Sequence, residues 1–218
     1  MSAIETKNTA IDLEPLNWRY AVKAFDTDRK LSEEQLSQLL ESARMAPTAF
    51  GQQPFKVIVV NNPAVRQELI AHSYGQDKVA AASHLLVFAA DTALGDDTVD
   101  HYMAHAAKTW NTTTEALAGF SGAVKGTYNA LGEQGRIAWA QQQAHIALGT
   151  LLTVAAYNGI DACPMTGFST DKYDEILGLK EKNLKSTVIV TLGHRSTEDS
   201  AQHMPKVRKP VSEFVETI

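Results

Sequence analysis

The chain of 218 residues contains one cysteine, Cys163. A lone thiol excludes an internal disulfide and any zinc or iron–sulfur centre built from several cysteines. Its neighbours Ile160, Asp161, Ala162 and Pro164 offer no base to activate it, so a quiet buried thiol is expected. There is no run of about 18 apolar residues, the length a membrane-spanning helix needs. The opening MSAIETKNTAIDLE lacks the basic end and apolar block of a secretory signal. These absences lead to the expectation of a soluble, cytoplasmic protein. Positive charge is also scarce: 20 Lys and Arg stand against 25 Asp and Glu, a formal net charge of −5. With no global positive field, nucleic acid is not an expected partner, and any anion must be held by a local cluster of cations.

Several motifs are missing as well. Neither G-x-G-x-x-G after a strand nor G-x-x-x-x-G-K-[ST] occurs, so the two common phosphate cradles are unavailable. No G-x-S-x-G elbow supports a hydrolase. His101 and His105 stand one helical turn apart, but Tyr102, Met103 and Ala104 between them leave out the glutamate of H-E-x-x-H, and no metal site is expected. Trp18, Trp110 and Trp139 come without a basic stripe, which favours packing over a base-stacking platform.

What is present is ordinary globular material, 44% hydrophobic and 21% charged. No internal repeat and no Gly/Ser or Pro-rich linker interrupts it, and one domain spanning residues 1–218 is the expectation. A first helix is predicted over 10–20. Ser32 with Gln35 forms a capping box for a helix that ends before Pro47, with Leu36, Leu39, Leu40 and Ala43 on one face. The β-branched stretch 55–60 reads as a buried strand, and Asn62 with Pro63 opens a helix running to about residue 72. A second strand is expected over 84–90, helix over about 97–111, and no assignment is made for 112–132. A long, largely apolar helix follows over 133–157, closed by Asn158 and Gly159. A short strand at 160–163, a helix from the Ser169 cap to about 177 and a strand at 186–192 complete the pattern. The tail after Gly193 is polar and is expected to rest on another surface. Strands interleaved with helices indicate a layered fold with helices on the sheet.

Isolated cations stand at the joints between these elements: Arg19 and Lys23, Lys78 after the 73–77 turn, and Lys206, Arg208 and Lys209 in the tail. An arginine fork matches phosphate oxygens and a lysine adds a point charge, although solvated surface charge is the commoner fate of such residues.

Six stretches carry a resemblance: R-Y-A-V-K-A-F at 19–25, A-P-T-A-F-G-Q-Q-P-F at 46–55, Y-G-Q-D-K at 74–78, C-P-M-T-G-F at 163–168, G-H-R at 193–195 and P-K-V-R at 205–208. In order and spacing they resemble the FMN-dependent nitroreductase family, most of all its oxygen-insensitive NAD(P)H nitroreductase and dihydropteridine reductase branch. The resemblance implies an α+β layered fold: a central, mostly antiparallel sheet flanked by helices, with the long core helix at a homodimer interface. It implies FMN as cofactor and NADH or NADPH as co-substrate, and ping-pong two-electron reduction of small-molecule acceptors such as nitroaromatics or quinones, with no dedicated catalytic acid or base. A flavin-binding carrier or redox sensor without turnover, on the same dimer, is the alternative.

By the same resemblance, Arg19, Lys206 and Arg208 hold the FMN phosphate, with Tyr20 and Ala21 in the same binding stretch. Lys23 and Lys78 place positive charge at the ring's N1 and O2 edge, which favours the reduced anionic flavin. Pro164, Met165, Thr166 and Gly167 lie against the ring, the last two through backbone N–H groups toward N5 and O4. Pro47, Thr48, Ala49, Gly51 and Gln53 reach across the dimer to the partner's FMN, while Gln52 faces solvent. Three positions depart from the family pattern: Ala21 replaces a serine, Gly51 an asparagine, and Gly75 with Gln76 another asparagine, so that Gln76 takes over a ribityl or ring contact. Phe120 and Tyr128 are candidates for an aromatic substrate lid, or for plain packing.

Overall fold

A computed structural model describes residues 10–218. Its centre is a four-stranded sheet of β1 (Phe55–Val59), β2 (His84–Asp91), β3 (Asp161–Met165) and β4 (Leu184–Gly193), in the order β1-β2-β4-β3 with every pair antiparallel. The two inner strands are buried on both faces, which explains why they read as unbroken apolar runs rather than alternating ones. Leu86, Phe88, Val188, Val190 and Leu192 face one layer, built from α2 (Glu33–Arg44) and α6 (Ala118–Tyr157). Leu85, Val87 and Ile189 face the other, with Leu69 of α3 (Pro63–Ala71), Val79 of α4 (Lys78–Ala81) and Tyr173 of α7 (Thr170–Ile176). A bulge between Phe88 and Ala89 shifts the β2–β4 register within this core. The expected layered α+β architecture with an antiparallel sheet is the one found.

Local signals placed several elements well. Ser32 Oγ accepts from the Gln35 N–H at 3.1 Å and Gln35 Oε1 accepts from the Ser32 N–H at 2.9 Å, a complete capping box. Asn62 Oδ1 caps α3 through the Ala64 N–H at 2.9 Å. Two expectations need correction. The first helix, α1, spans only Glu14–Trp18, because Arg19 turns into extended backbone (φ −70°, ψ 142°) and joins the sheet edge. The long helix α6 begins at Ala118 rather than Glu133 and is broken at Gly132, whose φ of 65° suits a glycine. Glycines at 119, 122 and 126 dilute the apolar pattern of its first half, where only Val124 and Tyr128 are buried. That half packs with α5 (Asp96–Thr109) in a side cluster around Met103 and Tyr128.

Beyond β3 the segment after α1 adds a further edge. Ala21 bridges Ala162 in parallel and Phe25 bridges Arg195. Gly193 is what allows the close approach: a Cβ there would lie 2.9 Å from the Phe25 ring and 3.2 Å from the Ser83 backbone nitrogen. Two carboxylates then clamp the segment. Buried Asp161 accepts from the Arg195 backbone N–H at 2.8 Å and from its Nε at 2.9 Å, and the guanidinium lies 4.1 Å from the Trp18 ring centroid and 4.6 Å from that of Tyr20. Asp199, also buried, accepts from the Lys23 N–H at 2.7 Å, the Ala24 N–H at 3.1 Å, the Tyr20 hydroxyl at 2.9 Å and the Ala201 N–H at 3.0 Å.

Burial alone would raise the pKa of Asp199, but the donors from Lys23, Ala24, Tyr20 and Ala201 outweigh it and hold the carboxyl below its usual range. A carboxylate with a lowered folded pKa stabilises the fold above its unfolded value near 4, and that contribution is lost as pH falls through the folded value. Asp199→Asn is therefore expected to cost about 1–3 kcal/mol at pH 7 and to lose less stability than the parent chain on acidification below about pH 4. Urea midpoints across that range check this; parallel losses in the two proteins would contradict it.

Candidate functional site

Three of the predicted phosphate cations converge. Arg19 is half-buried at the end of α1, and its hold on its proton is weakened by burial and then by Arg208 nearby. Lys206 is lowered by burial and by Arg19, Arg208 and Arg195 around it, and its Nζ donates to the Asn17 carbonyl. None of the three takes part in an ion pair among the described residues. Like charges gathered without a carboxylate repel one another, and the group that relieves such repulsion is an anion of high charge.

The extended backbone after Arg19 sorts the neighbouring candidates by parity. The Ala21 methyl packs toward the cluster of Cys163 and Met165, while Tyr20 packs with Val22, Phe25 and Ala82 on the opposite side. Tyr20, expected in the binding stretch, is thus a clamp: its ring meets Arg195 and its hydroxyl meets Asp199. Lys23 stands where the backbone bends out of this alternation, and it is exposed.

Pro164 and Met165 complete β3, two residues beyond the expected strand end, and Met165 pairs with Ile189. Thr166 and Gly167 follow, and neither backbone N–H has an acceptor among the described residues. Gln76 Nε2 donates to the Gly167 carbonyl at 3.1 Å and to the Ser73 carbonyl at 3.0 Å, so its amide nitrogen ties the 73–77 turn to this strip. Tyr74, to which no role was assigned from sequence, is exposed, holds a left-handed φ of 54°, and places its ring 3.6 Å from where a Gly167 Cβ would be. An aromatic beside Gly75 was the available signal. Lys78 opens α4 and is buried.

The joint before β1 stands apart. Strand β1 and strand β3 form opposite edges of the sheet, about 14 Å apart across three strand spacings. Pro47 and Thr48 lead into a short 3-10 turn, Ala49–Gly51, and Phe50, Gly51 and Gln53 all take left-handed backbone (φ 57°, 70° and 47°). Gly51 is needed where it is, since a Cβ would lie 2.6 Å from the Tyr102 hydroxyl. The turn exchanges the expected roles of the two glutamines. Gln53 is exposed and donates its amide to the Arg44 carbonyl at 2.5 Å, while Gln52 is buried and neither of its amide atoms has a partner. A cleft of about 590 Å³ adjoins Gln52, with His101, Tyr102, His105, Lys56 and Lys182 on its walls. Gln143 of α6, overlooked in the sequence, accepts from the Ala49 N–H at 2.8 Å and fixes the joint. A glutamine on an apolar helix was the clue.

The two candidates for an aromatic lid lie in an aromatic cluster with Phe50 and Trp139. Tyr128 is fully buried, and it and Phe120 meet Phe50 edge-on at 6.4 and 6.3 Å, with Trp139 stacked on Phe50 at 6.1 Å. Burial pushes the Tyr128 phenol up to about 12.

Relatives place the chain. The Nitroreductase family profile matches residues 16–194. A Staphylococcus aureus protein named as a candidate NAD(P)H nitroreductase is 33% identical over 211 residues, covering 93% of this chain and 95% of its own. The crystal structure of a Bacillus subtilis protein described as a candidate nitroreductase superposes with a TM-score of 0.85 at 25% identity, over 94% of this chain and 97% of its own. A structure from Exiguobacterium sibiricum, described as a candidate nitroreductase in complex with FMN, has a TM-score of 0.81 at 22% identity and covers 98% and 100% of the two chains. The match over most of its length, together with the four-stranded antiparallel sheet, shows that this chain belongs to the Nitroreductase family.

Proposed function

We propose that this protein is an FMN-dependent oxidoreductase that uses NADH or NADPH to reduce nitroaromatics, quinones or similar small electrophiles. The observation that carries the reading is the cluster of Arg19, Lys206 and Arg208, three cations without a carboxylate beside a strip with two free backbone donors. A flavin mononucleotide has the matching chemistry, a phosphate dianion at one end and acceptor atoms on a ring at the other. When bound, FMN supplies two-electron chemistry at its N5.

The residues divide that work. Arg19, Lys206 and Arg208 hold the phosphate. Thr166 and Gly167 direct N–H groups at the ring edge, and the Gln76 amide keeps the Gly167 carbonyl turned away from it. Lys23 and Lys78 set positive charge beside the part of the ring that gains electrons, which lowers the cost of reduction. Tyr74 stands at the open side, where nicotinamide donor and acceptor would take turns. No side chain is assigned as proton donor, and water serves.

The joint at Pro47, Thr48, Ala49, Gly51 and Gln53 lies on the sheet edge opposite the cations, so it serves the flavin of a second copy. That makes a homodimer part of the site. Val207, Val211 and Phe214 of the tail, exposed among the described residues, fit burial against the same second copy. The unpaired Gln52 amide belongs to this joint.

The test of turnover is anaerobic. Purified protein loaded with FMN should bleach on adding NADH or NADPH and recover on adding a quinone or nitroarene. A yellow protein that fails to bleach would instead be a flavin carrier or sensor. Arg208→Ala should release FMN at least tenfold more readily than Lys56→Ala, whose lysine is exposed on β1; equal retention in a fluorescence titration would contradict the phosphate assignment. Gln52→Met should leave the flavin-free monomer as stable or more so, because it removes an unpaired buried amide. If Gln52 is paired across the dimer, the same change weakens dimerisation or FMN retention; unchanged values for both would remove it from the interface.

A further inference from the structure

The α3–α4 corner holds a buried arginine with no acid partner. Arg66 donates through Nε to the Val79 carbonyl at 3.0 Å, through Nη2 to the Ala82 carbonyl at 2.6 Å and through Nη1 to the Ser83 carbonyl at 3.1 Å. All three acceptors lie in or just beyond α4, a helix of four residues. So short a helix does not hold itself together, because nucleation costs more than one turn of hydrogen bonds returns. The guanidinium fork satisfies carbonyls that the helix end leaves open and puts positive charge where the helix dipole favours it. Burying a guanidinium without a carboxylate is costly, and packing against Leu69 and Val79 would be served as well by an aliphatic side chain.

Lys78 is the first residue of this helix and directly precedes the first carbonyl that the fork holds. Its carbonyl accepts from the Ala82 N–H at 3.1 Å, and the Ala82 carbonyl is the one Arg66 holds most closely. The next residue, Val79, is fully buried and is also held through its carbonyl. We propose that Arg66 is a positioning residue: by gripping the Val79 carbonyl next to Lys78 and the far end of α4 it fixes where the Lys78 ammonium stands relative to the flavin ring. The proposal rests on the reading of Lys78 as a cation at the ring. A lysine at 66 would keep the charge but cannot hold three carbonyls at once.

The test uses FMN-loaded protein and reads the flavin midpoint potential and the FMN dissociation constant, with thermal midpoints as a check on folding. Lys78→Met should lower the ratio of affinities for reduced over oxidised FMN about tenfold, about 30 mV for a two-electron couple. Arg66→Lys should lower it about threefold in the parent chain, yet leave it unchanged in a Lys78→Met background. If Arg66→Lys does not fold, Arg66→Gln is measured in the same two backgrounds. An equal shift in both backgrounds, or no shift in either while Lys78→Met shifts, would overturn the role of Arg66 and leave Lys78 at the ring. A silent Lys78→Met would overturn the placement of Lys78, and with it the proposal.

Discussion

The Asp161–Arg195 pair is the contact on which the cation edge depends. Asp161 begins β3 and Arg195 lies just past β4, so the pair locks the two strands where the sheet would otherwise fray. Because the guanidinium is also flanked by Trp18 and Tyr20, it carries the segment after α1 with it. Removing one partner would leave the other charge buried and alone, a loss of about 3–5 kcal/mol in comparable cases. Asp199 completes the clamp from the tail side, which brings the chain around so that Lys206 and Arg208 arrive beside Arg19. Residues nearly 190 positions apart in sequence become one patch of charge through two carboxylates that never touch the proposed ligand.

A second constraint is the width of the sheet. With β1 and β3 at opposite ends of the four-strand order, the 47–53 joint and the cations of the same chain lie on opposite sides of the sheet. The joint nevertheless carries three left-handed residues within four positions, Phe50, Gly51 and Gln53, and is fixed by Gln143 from α6. Strain kept in place by a buried hydrogen bond is found where a surface has a task beyond connection. In the dimer proposed above, the joint would meet the other subunit's site, and the exposed apolar tail would gain a surface to cover it.

Much of this was legible in the residues. The capping box at Ser32 and the Asn62–Pro63 start are local chemistry, and the two inner strands declared themselves through apolar runs buried on both faces. The cations of the phosphate patch were nameable from their spacing within recognised motifs, but only the fold shows that they crowd without acids. What escaped were features set by tertiary contacts. The first half of α6 is held by aromatic packing around Phe50 and Trp139 rather than by its glycine-diluted pattern. The glutamines 52 and 53 exchanged sides because a left-handed turn breaks the alternation that an extended chain would keep. The motif placed Tyr20 in the binding stretch but could not show its clamp contacts, since these depend on Arg195 and Asp199, far away in sequence.

If Arg19, Lys206 and Arg208 form a phosphate cradle, the chain should discriminate sharply between two flavins that share a ring and a ribityl chain. Titrating the flavin-free protein with FMN and with riboflavin, by quenching of flavin fluorescence, measures that phosphate contribution directly. FMN binding at least 100-fold tighter than riboflavin, with a difference that shrinks as salt is added, is the expected result. Equal affinity for the two would mean that the three cations serve no phosphate.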